Sequence, residues 1–130
     1  MQEARELTIL DMEASVEHMS RGTVRYCDTL LIVVEPYYRA LETAGRMAPL
    51  ARGLGIPRVY AIANKLRDER DEAAVLDYCA RHDLEVLARI PFDEAIIEAD
   101  RSGVALIDYA PGAAAVDEVR RLAERLAAQG

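Results

Sequence analysis

Two apolar runs of this chain end in polar side chains that are suited to ligand binding. Asp11 closes the run over residues 6–11, and Asn64, followed by Lys65, closes the run that starts at residue 58. A carboxylate at the end of an apolar strand can hold a magnesium ion through a bound water, and a carboxamide can both donate to and accept from a nucleobase. Taken singly, each residue is more often a helix cap or a turn residue than part of a binding site.

Side chains that commonly bind transition metals are sparse. His18 has only Glu13 and Asp11 nearby and no second histidine within reach, so a metal site around it is the weaker interpretation. Cys27 and Cys79 are far apart and form neither a Cys-x-x-Cys nor a Cys-x-Cys motif. This spacing favours reduced thiols that pack as small apolar residues.

A phosphate-binding P-loop is not found in this sequence. Such a loop needs a glycine-rich turn after a strand, followed by Lys and Ser or Thr at the start of a helix. Lys65 is the only lysine among 16 basic residues, and it lies between Asn64 and Leu66 with no glycine nearby. Gly53 and Gly55 follow a helical pattern instead of a strand, so they predict the end of a helix.

Alternating strand and helix patterns must position the candidate residues. Continuous apolar runs, typical of strands buried on both faces, cover residues 6–11, 29–34, 58–64 and 85–90. Helical periodicity predicts helices over about residues 38–54, 71–81, 93–101 and 111–127. This alternation predicts an α/β fold with a mostly parallel sheet of about four strands, flanked by helices. Ligands bind beyond the carboxyl ends of such strands.

Composition narrows the class of protein. The 130 residues suffice for one domain, and 52% apolar residues with 30% charged residues are typical of a soluble globular chain. The net charge of −7 disfavours nucleic acid as a partner. No apolar run approaches the roughly 20 residues that span a bilayer, and the first residues do not resemble a signal peptide. We therefore expect a cytoplasmic protein with no membrane partner.

Residues 7–23 resemble the magnesium-aspartate strand and the following switch of the MinD/ParA-like P-loop ATPases. The resemblance is narrower to the CooC type, the nickel-inserting accessory ATPases of carbon monoxide dehydrogenase. It rests on Asp11-Met12-Glu13-Ala14, Glu17-His18, Arg21-Gly22-Thr23, Glu35-Pro36-Tyr37-Tyr38-Arg39, Ala63-Asn64-Lys65, Ile90-Pro91-Phe92-Asp93 and Glu98-Ala99-Asp100. The match covers essentially the whole chain but corresponds to the carboxy-terminal half of the family. Residues 1–130 would then form a single, incomplete nucleotide-binding domain.

The resemblance implies ATP or ADP and Mg²⁺ as cofactors. It assigns to Asp11 the contact with the magnesium-bound water, and with it the catalytic role. Residues 12–16 correspond to the loop that senses the γ-phosphate. Ser15 replaces the glycine of that switch, and its Cβ restricts the backbone where an amide approaches the phosphate.

The base-binding side of the site also follows from the resemblance. Asn64 corresponds to the residue that reads adenine, and Pro91 and Phe92 line the base pocket. Lys65, next to Asn64, is expected to be a further cofactor-binding residue. The family's P-loop and its nickel-binding Cys-x-Cys pair lie in the half that this chain does not match. We therefore expect that the chain alone neither hydrolyses ATP nor binds nickel.

The unmatched half also supplies a strand of the family's sheet. The P-loop strand lies between the strands that correspond to residues 7–10 and 29–34, so the first strand should be displaced, while the part from Thr29 onward folds like the family. A vacant strand slot favours association, as a homodimer or with another chain. The resemblance adds carbon monoxide dehydrogenase as a partner.

Three alternatives stay open. The chain could be a non-catalytic interaction module that pairs with a separate P-loop half or with a full-length relative. It could be a fragment of a partition-type MinD/ParA ATPase, although its last helix lacks the bulky aromatic residues of a membrane-binding helix. A phospho-acceptor receiver domain also has a strand-end aspartate, but it needs an additional acid pair upstream.

Overall fold

The computed structural model describes residues 7–12 and 26–129. This part of the chain contains three strands and five helices. In chain order they are β1 (Thr29–Val34), α1 (Tyr38–Gly53), β2 (Arg58–Leu66), α2 (Glu69–Arg81), β3 (Glu85–Pro91), α3 (Glu94–Arg101), α4 (Leu106–Tyr109) and α5 (Ala114–Gln129). The prediction missed only α4, whose four residues are too few to show a helical period.

The strands form one parallel sheet in the order β1-β2-β3. β1 and β2 pair without interruption from Thr29 opposite Arg58 to Val34 opposite Ala63. The ladder between β2 and β3 has two irregularities, one of which falls between Ala63 and Leu66. The predicted α/β fold class is thereby confirmed, with three strands within the described residues instead of about four.

The difference in strand number comes from residues 7–12, which were predicted as a strand. They form no regular secondary structure and lie exposed, with Ile9 at 87% and Leu10 at 52% exposure. Within the described part of the chain, β1 pairs only with β2, so residues 7–12 are not part of the sheet. The strand prediction is wrong here, whereas the expected displacement of the segment is confirmed.

Helices cover the two faces of the sheet unequally. On one face, buried residues of α1 and α2 pack against Ile32 and Val34 of β1 and form the larger core cluster. On the other face, Leu122 and Leu126 of α5 pack against Ile62, and this cluster is smaller. Cys79 is fully buried in the larger cluster as a free thiol, which agrees with its predicted role as a small apolar residue.

The helix ends are determined by local hydrogen bonds and backbone conformation. Asp68 caps α2, because its Oδ1 accepts a hydrogen bond from the backbone N–H of Asp71 at 2.9 Å. Gly55 follows α1 with a φ of +83°, a conformation that glycine adopts without a steric penalty. None of the described helices is long and apolar enough to cross a membrane.

Candidate functional site

The carboxyl ends of the three strands place the candidate site residues at one edge of the sheet. β1 ends at Val34, β2 at Leu66 and β3 at Pro91, and all three run in the same direction. Glu35, Lys65 and Phe92 therefore lie at the same edge, where parallel sheets bind their ligands. We call this region the carboxyl edge.

A β-bulge shapes the end of β2. Ala63 pairs with Arg89 and Leu66 pairs with Pro91, so Asn64 and Lys65 together stand opposite a single residue of β3. Lys65 has a φ of +57°, in the left-handed region that residues with a Cβ seldom adopt. Bulges occur next to functional sites because the extra residue redirects a side chain away from the ladder.

The bulge brings Lys65 against the residue that follows β1. Its Nζ lies 2.7 Å from Oε1 of Glu35, and the two side chains are 53% and 37% exposed. The hydrogen bond and the negative charge of Glu35 raise the pKa of Lys65 above its ordinary value, and the nearby Tyr37 adds to the effect. The backbone N–H of Tyr37 donates to the carbonyl oxygen of Glu35 at 2.8 Å, and this hydrogen bond closes the turn after β1 that contains Glu35.

Phe92 forms the aromatic part of the carboxyl edge. Its backbone N–H donates to the carbonyl oxygen of Leu66 at 2.8 Å, so its position is tied to the end of β2. The guanidinium carbon of Arg67 lies 4.9 Å from the centroid of the Phe92 ring, within the range of a cation–π contact. The backbone N–H of Arg67 donates to Oδ2 of Asp71 at 3.0 Å, which anchors Arg67 to the first turn of α2.

The structure thus brings together four of the predicted site residues, Asn64, Lys65, Pro91 and Phe92. Asn64, Pro91 and Phe92 are half-buried, whereas Lys65 is exposed. Asp11 is exposed on the segment outside the sheet, and Ser15 lies outside the described residues. No group of three His, Cys, Asp or Glu side chains that could hold a metal ion occurs in the part of the chain that the structure describes.

Arg67 and the pairing role of Glu35 were not predicted from the sequence. Arg67 stands between the end of β2 and the cap of α2, a position from which a long side chain can reach the next strand end. Arg67 could have been predicted as a site residue from this position in the sequence. Glu35 was visible as the acid after β1, but its contact with Lys65 depends on the bulge in β2.

The carboxyl edge suits a nucleobase better than it suits a metal ion. A half-buried carboxamide and an aromatic ring are the groups that recognise the edge and the face of a base. Mg²⁺ prefers carboxylate oxygens and water, but the Glu35 carboxylate at this edge is already paired with an ammonium, and Asp11 is exposed outside the sheet. By the chemistry of these groups, the described residues favour the base of a nucleotide over a magnesium ion.

Comparisons with known proteins identify an accessory protein and an ATP-binding protein as relatives. No protein-family model matches the chain. It is 45% identical over 107 residues to the carbon monoxide dehydrogenase accessory protein CooC of Rhodospirillum rubrum, a match that covers 82% of this chain and 40% of the relative. It is 43% identical over 99 residues to an ATP-binding protein of Methanocaldococcus jannaschii, covering 75% of this chain and 38% of that protein.

The fold has a solved counterpart. The septum site-determining protein MinD of Pyrococcus horikoshii, solved as a complex with Mg-ADP, superposes with a TM-score of 0.62 at 26% identity. The superposition covers 76% of this chain and 41% of that protein. The chain thus spans about two fifths of the length of the relatives it matches, and it has the MinD/ParA-type fold of the P-loop NTPases.

Proposed function

We propose that this chain, a relative of the CooC-type accessory proteins with a MinD/ParA-like fold, is the base-recognising part of an ATP-binding maturation protein. The enzyme that it serves is carbon monoxide dehydrogenase, and the reaction that it supports is the insertion of nickel. The observation that carries the proposal is the 45% identity to the accessory protein of Rhodospirillum rubrum. That identity extends over a chain whose carboxyl edge gathers a carboxamide, an ammonium and an aromatic ring.

Within this proposal each residue has a defined task. The Asn64 carboxamide pairs with the edge of adenine, and Pro91 and Phe92 form the apolar wall beside the base. Lys65 supplies the positive charge at the same edge. Asp11 would meet the magnesium-bound water only when residues 7–12 lie beside the sheet, and Ser15 would meet the γ-phosphate.

Hydrolysis and nickel binding need parts that this sequence does not contain. Phosphoryl transfer is catalysed mainly by positioning and by positive charge around the phosphates. A P-loop supplies this positioning and this positive charge, and the sequence has no P-loop. We therefore assign ATP hydrolysis and nickel binding to an assembly that includes a P-loop half and not to this chain by itself.

A chimeric protein tests the proposal. The residues of this chain would replace the matching stretch of the Rhodospirillum rubrum accessory protein, in cells that lack their own copy. We expect nickel-dependent carbon monoxide dehydrogenase activity to be restored, and the same chimera with Asn64→Ala to lose most of it. A chimera that is stable and soluble but leaves the dehydrogenase without nickel would overturn the proposal.

A second candidate function is a non-catalytic interaction module. The observation that favours it is the outer edge of β1, which has no paired strand within the described residues, beside an exposed Val33. The occupant would be a separate P-loop half or a full-length relative. This role and the first are compatible, because pairing would supply the phosphate-binding part of the site.

A further inference from the structure

Lys65 has a backbone conformation that is unusual for a residue with a Cβ. Its φ of +57° lies in the left-handed region, and together with Asn64 it forms the bulge of β2. Conformations of this kind persist where the surrounding contacts favour them, and they concentrate at sites that bind or switch. The contact that accompanies this conformation is the ion pair with Glu35.

This ion pair connects two strand ends at the carboxyl edge. Glu35 follows β1 and Lys65 belongs to the end of β2, so the pair joins two neighbouring strand ends at 2.7 Å. Both side chains are partly exposed, at 37% and 53%, so water and solutes can reach the pair. An exposed pair of this kind is weakly favourable and can open at small cost.

We propose that Glu35 and Lys65 form a latch. The Glu35 carboxylate pairs with the Lys65 ammonium until the phosphate of a bound nucleotide replaces Glu35 as the partner of Lys65. The proposal rests on the proposed function, since the ligand is a nucleotide at the same edge. Carboxylate and phosphate oxygens are alternative acceptors for the three N–H donors of an ammonium. Glu35 therefore both competes for Lys65 and repels the incoming anion.

The direction in which one substitution changes nucleotide affinity distinguishes a latch from a purely structural pair. If Glu35 competes with the ligand, Glu35→Gln should strengthen nucleotide binding about two- to fivefold, the factor that the free energy of an exposed pair permits. If Glu35 only holds Lys65 in a productive position, the same substitution should weaken binding. Glu42→Gln is the matched control, because Glu42 is also an exposed acid in an ion pair, with Arg46 on α1.

The composition of the chain makes the latch directly observable. Lys65 is its only lysine, so reductive methylation with ¹³C-formaldehyde labels only Lys65 and the terminal amine, and it preserves their charge. The terminal amine titrates near pH 8 and a lysine above pH 10, which distinguishes the two signals. Lys65→Arg removes the lysine signal and confirms the assignment.

The first measurement is the pH titration of the labelled protein by NMR. Since Glu35 raises the pKa of Lys65, its signal should titrate at lower pH in Glu35→Gln than in the wild type and in Glu42→Gln. An unchanged titration in Glu35→Gln would show that the pair does not form in solution and would overturn the latch.

The second measurement is a titration with ATP and with pyrophosphate, followed on the Lys65 methyl signal and on the backbone amides of Asn64 and Phe92. A shifted Lys65 signal together with tighter binding by Glu35→Gln supports the latch. If ATP shifts the two amides but Glu35→Gln binds equally or more weakly, the latch fails and the proposed function stands. If neither ligand shifts any of these signals in either protein, both proposals fail.

Discussion

At the scale of single residues, the short run from Asn64 to Asp68 combines several structural roles. Asn64 and Lys65 form the bulge, Arg67 covers the ring of Phe92, and Asp68 caps α2. Arg67 and Asp68 are coupled through Asp71, whose side chain accepts from the Arg67 N–H and whose own N–H donates to Asp68. The helix cap therefore also holds the Arg67 backbone at the carboxyl edge.

Asp68→Ala should destabilise the protein by about 1 kcal/mol, which is typical for the loss of a side-chain N-cap. The N–H of Asp71 then loses its acceptor, and the first turn of α2 frays. Chemical denaturation followed by circular dichroism measures the change. Asp77→Ala is the control, because Asp77 forms only an exposed pair with Arg81 and should cost less than about 0.5 kcal/mol. Equal losses in the two variants would contradict the role of the cap.

At the scale of elements, the two edge strands of the sheet differ in what covers them. Arg125 of α5 donates to the carbonyl oxygen of Leu87 at 2.6 Å, so a side chain satisfies part of the backbone of β3. The outer edge of β1 has no paired strand within the described residues, and Val33 of this strand is 59% exposed. An uncovered apolar strand edge is a template for pairing with another chain.

We expect the chain to self-associate at high concentration through the outer edge of β1. Val33→Lys should reduce this association, since a lysine on an edge strand opposes the addition of a further strand. Light scattering after size-exclusion chromatography, over a concentration series, measures the effect. The control is Val119→Lys on α5, where the wild-type valine is similarly exposed at 50%. A chain that stays monomeric throughout, or an equal effect of both variants, would count against the β1 edge.

At the scale of the whole molecule, the charge of the chain opposes phosphate binding. The net charge is −7, and the carboxyl edge offers one ammonium that already has a partner. A nucleotide would therefore be held mainly by its base. Contacts of this kind to one face of the ligand give weak binding compared with a complete phosphate cradle.

Millimolar Mg-ATP should consequently raise the melting temperature of the chain by less than about 2 °C. Ligand at a hundred times its Kd would add about 2.7 kcal/mol, whereas ligand near its Kd adds only about 0.4 kcal/mol. Differential scanning fluorimetry checks the prediction, and Asp11→Ala should behave like the wild type. A large upward shift that Asp11→Ala abolishes would instead reveal a working magnesium and phosphate site.

Much of the fold and part of the site could be predicted from sequence, because they depend on local pattern. Strand-like runs that alternate with helical periods require long crossovers and hence a parallel sheet, which places Asn64, Lys65, Pro91 and Phe92 at one edge. The β1 boundaries agree with the prediction at both ends, and the start of α1 agrees as well. In these elements local propensity and tertiary packing favour the same conformation.

Tertiary structure alone decided which of these residues touch. The left-handed Lys65 and its ion pair with Glu35 depend on a bulge, and a bulge arises from the register between two strands. The contact of Arg67 with Phe92 depends on how the ends of β2 and β3 lie side by side. The placement of residues 7–12 also depends on tertiary structure. Their apolar run predicts a strand, but the segment lies exposed outside the sheet. A strand forms only where a neighbouring strand accepts its hydrogen bonds, and that neighbour is a property of the assembled sheet and not of the run itself.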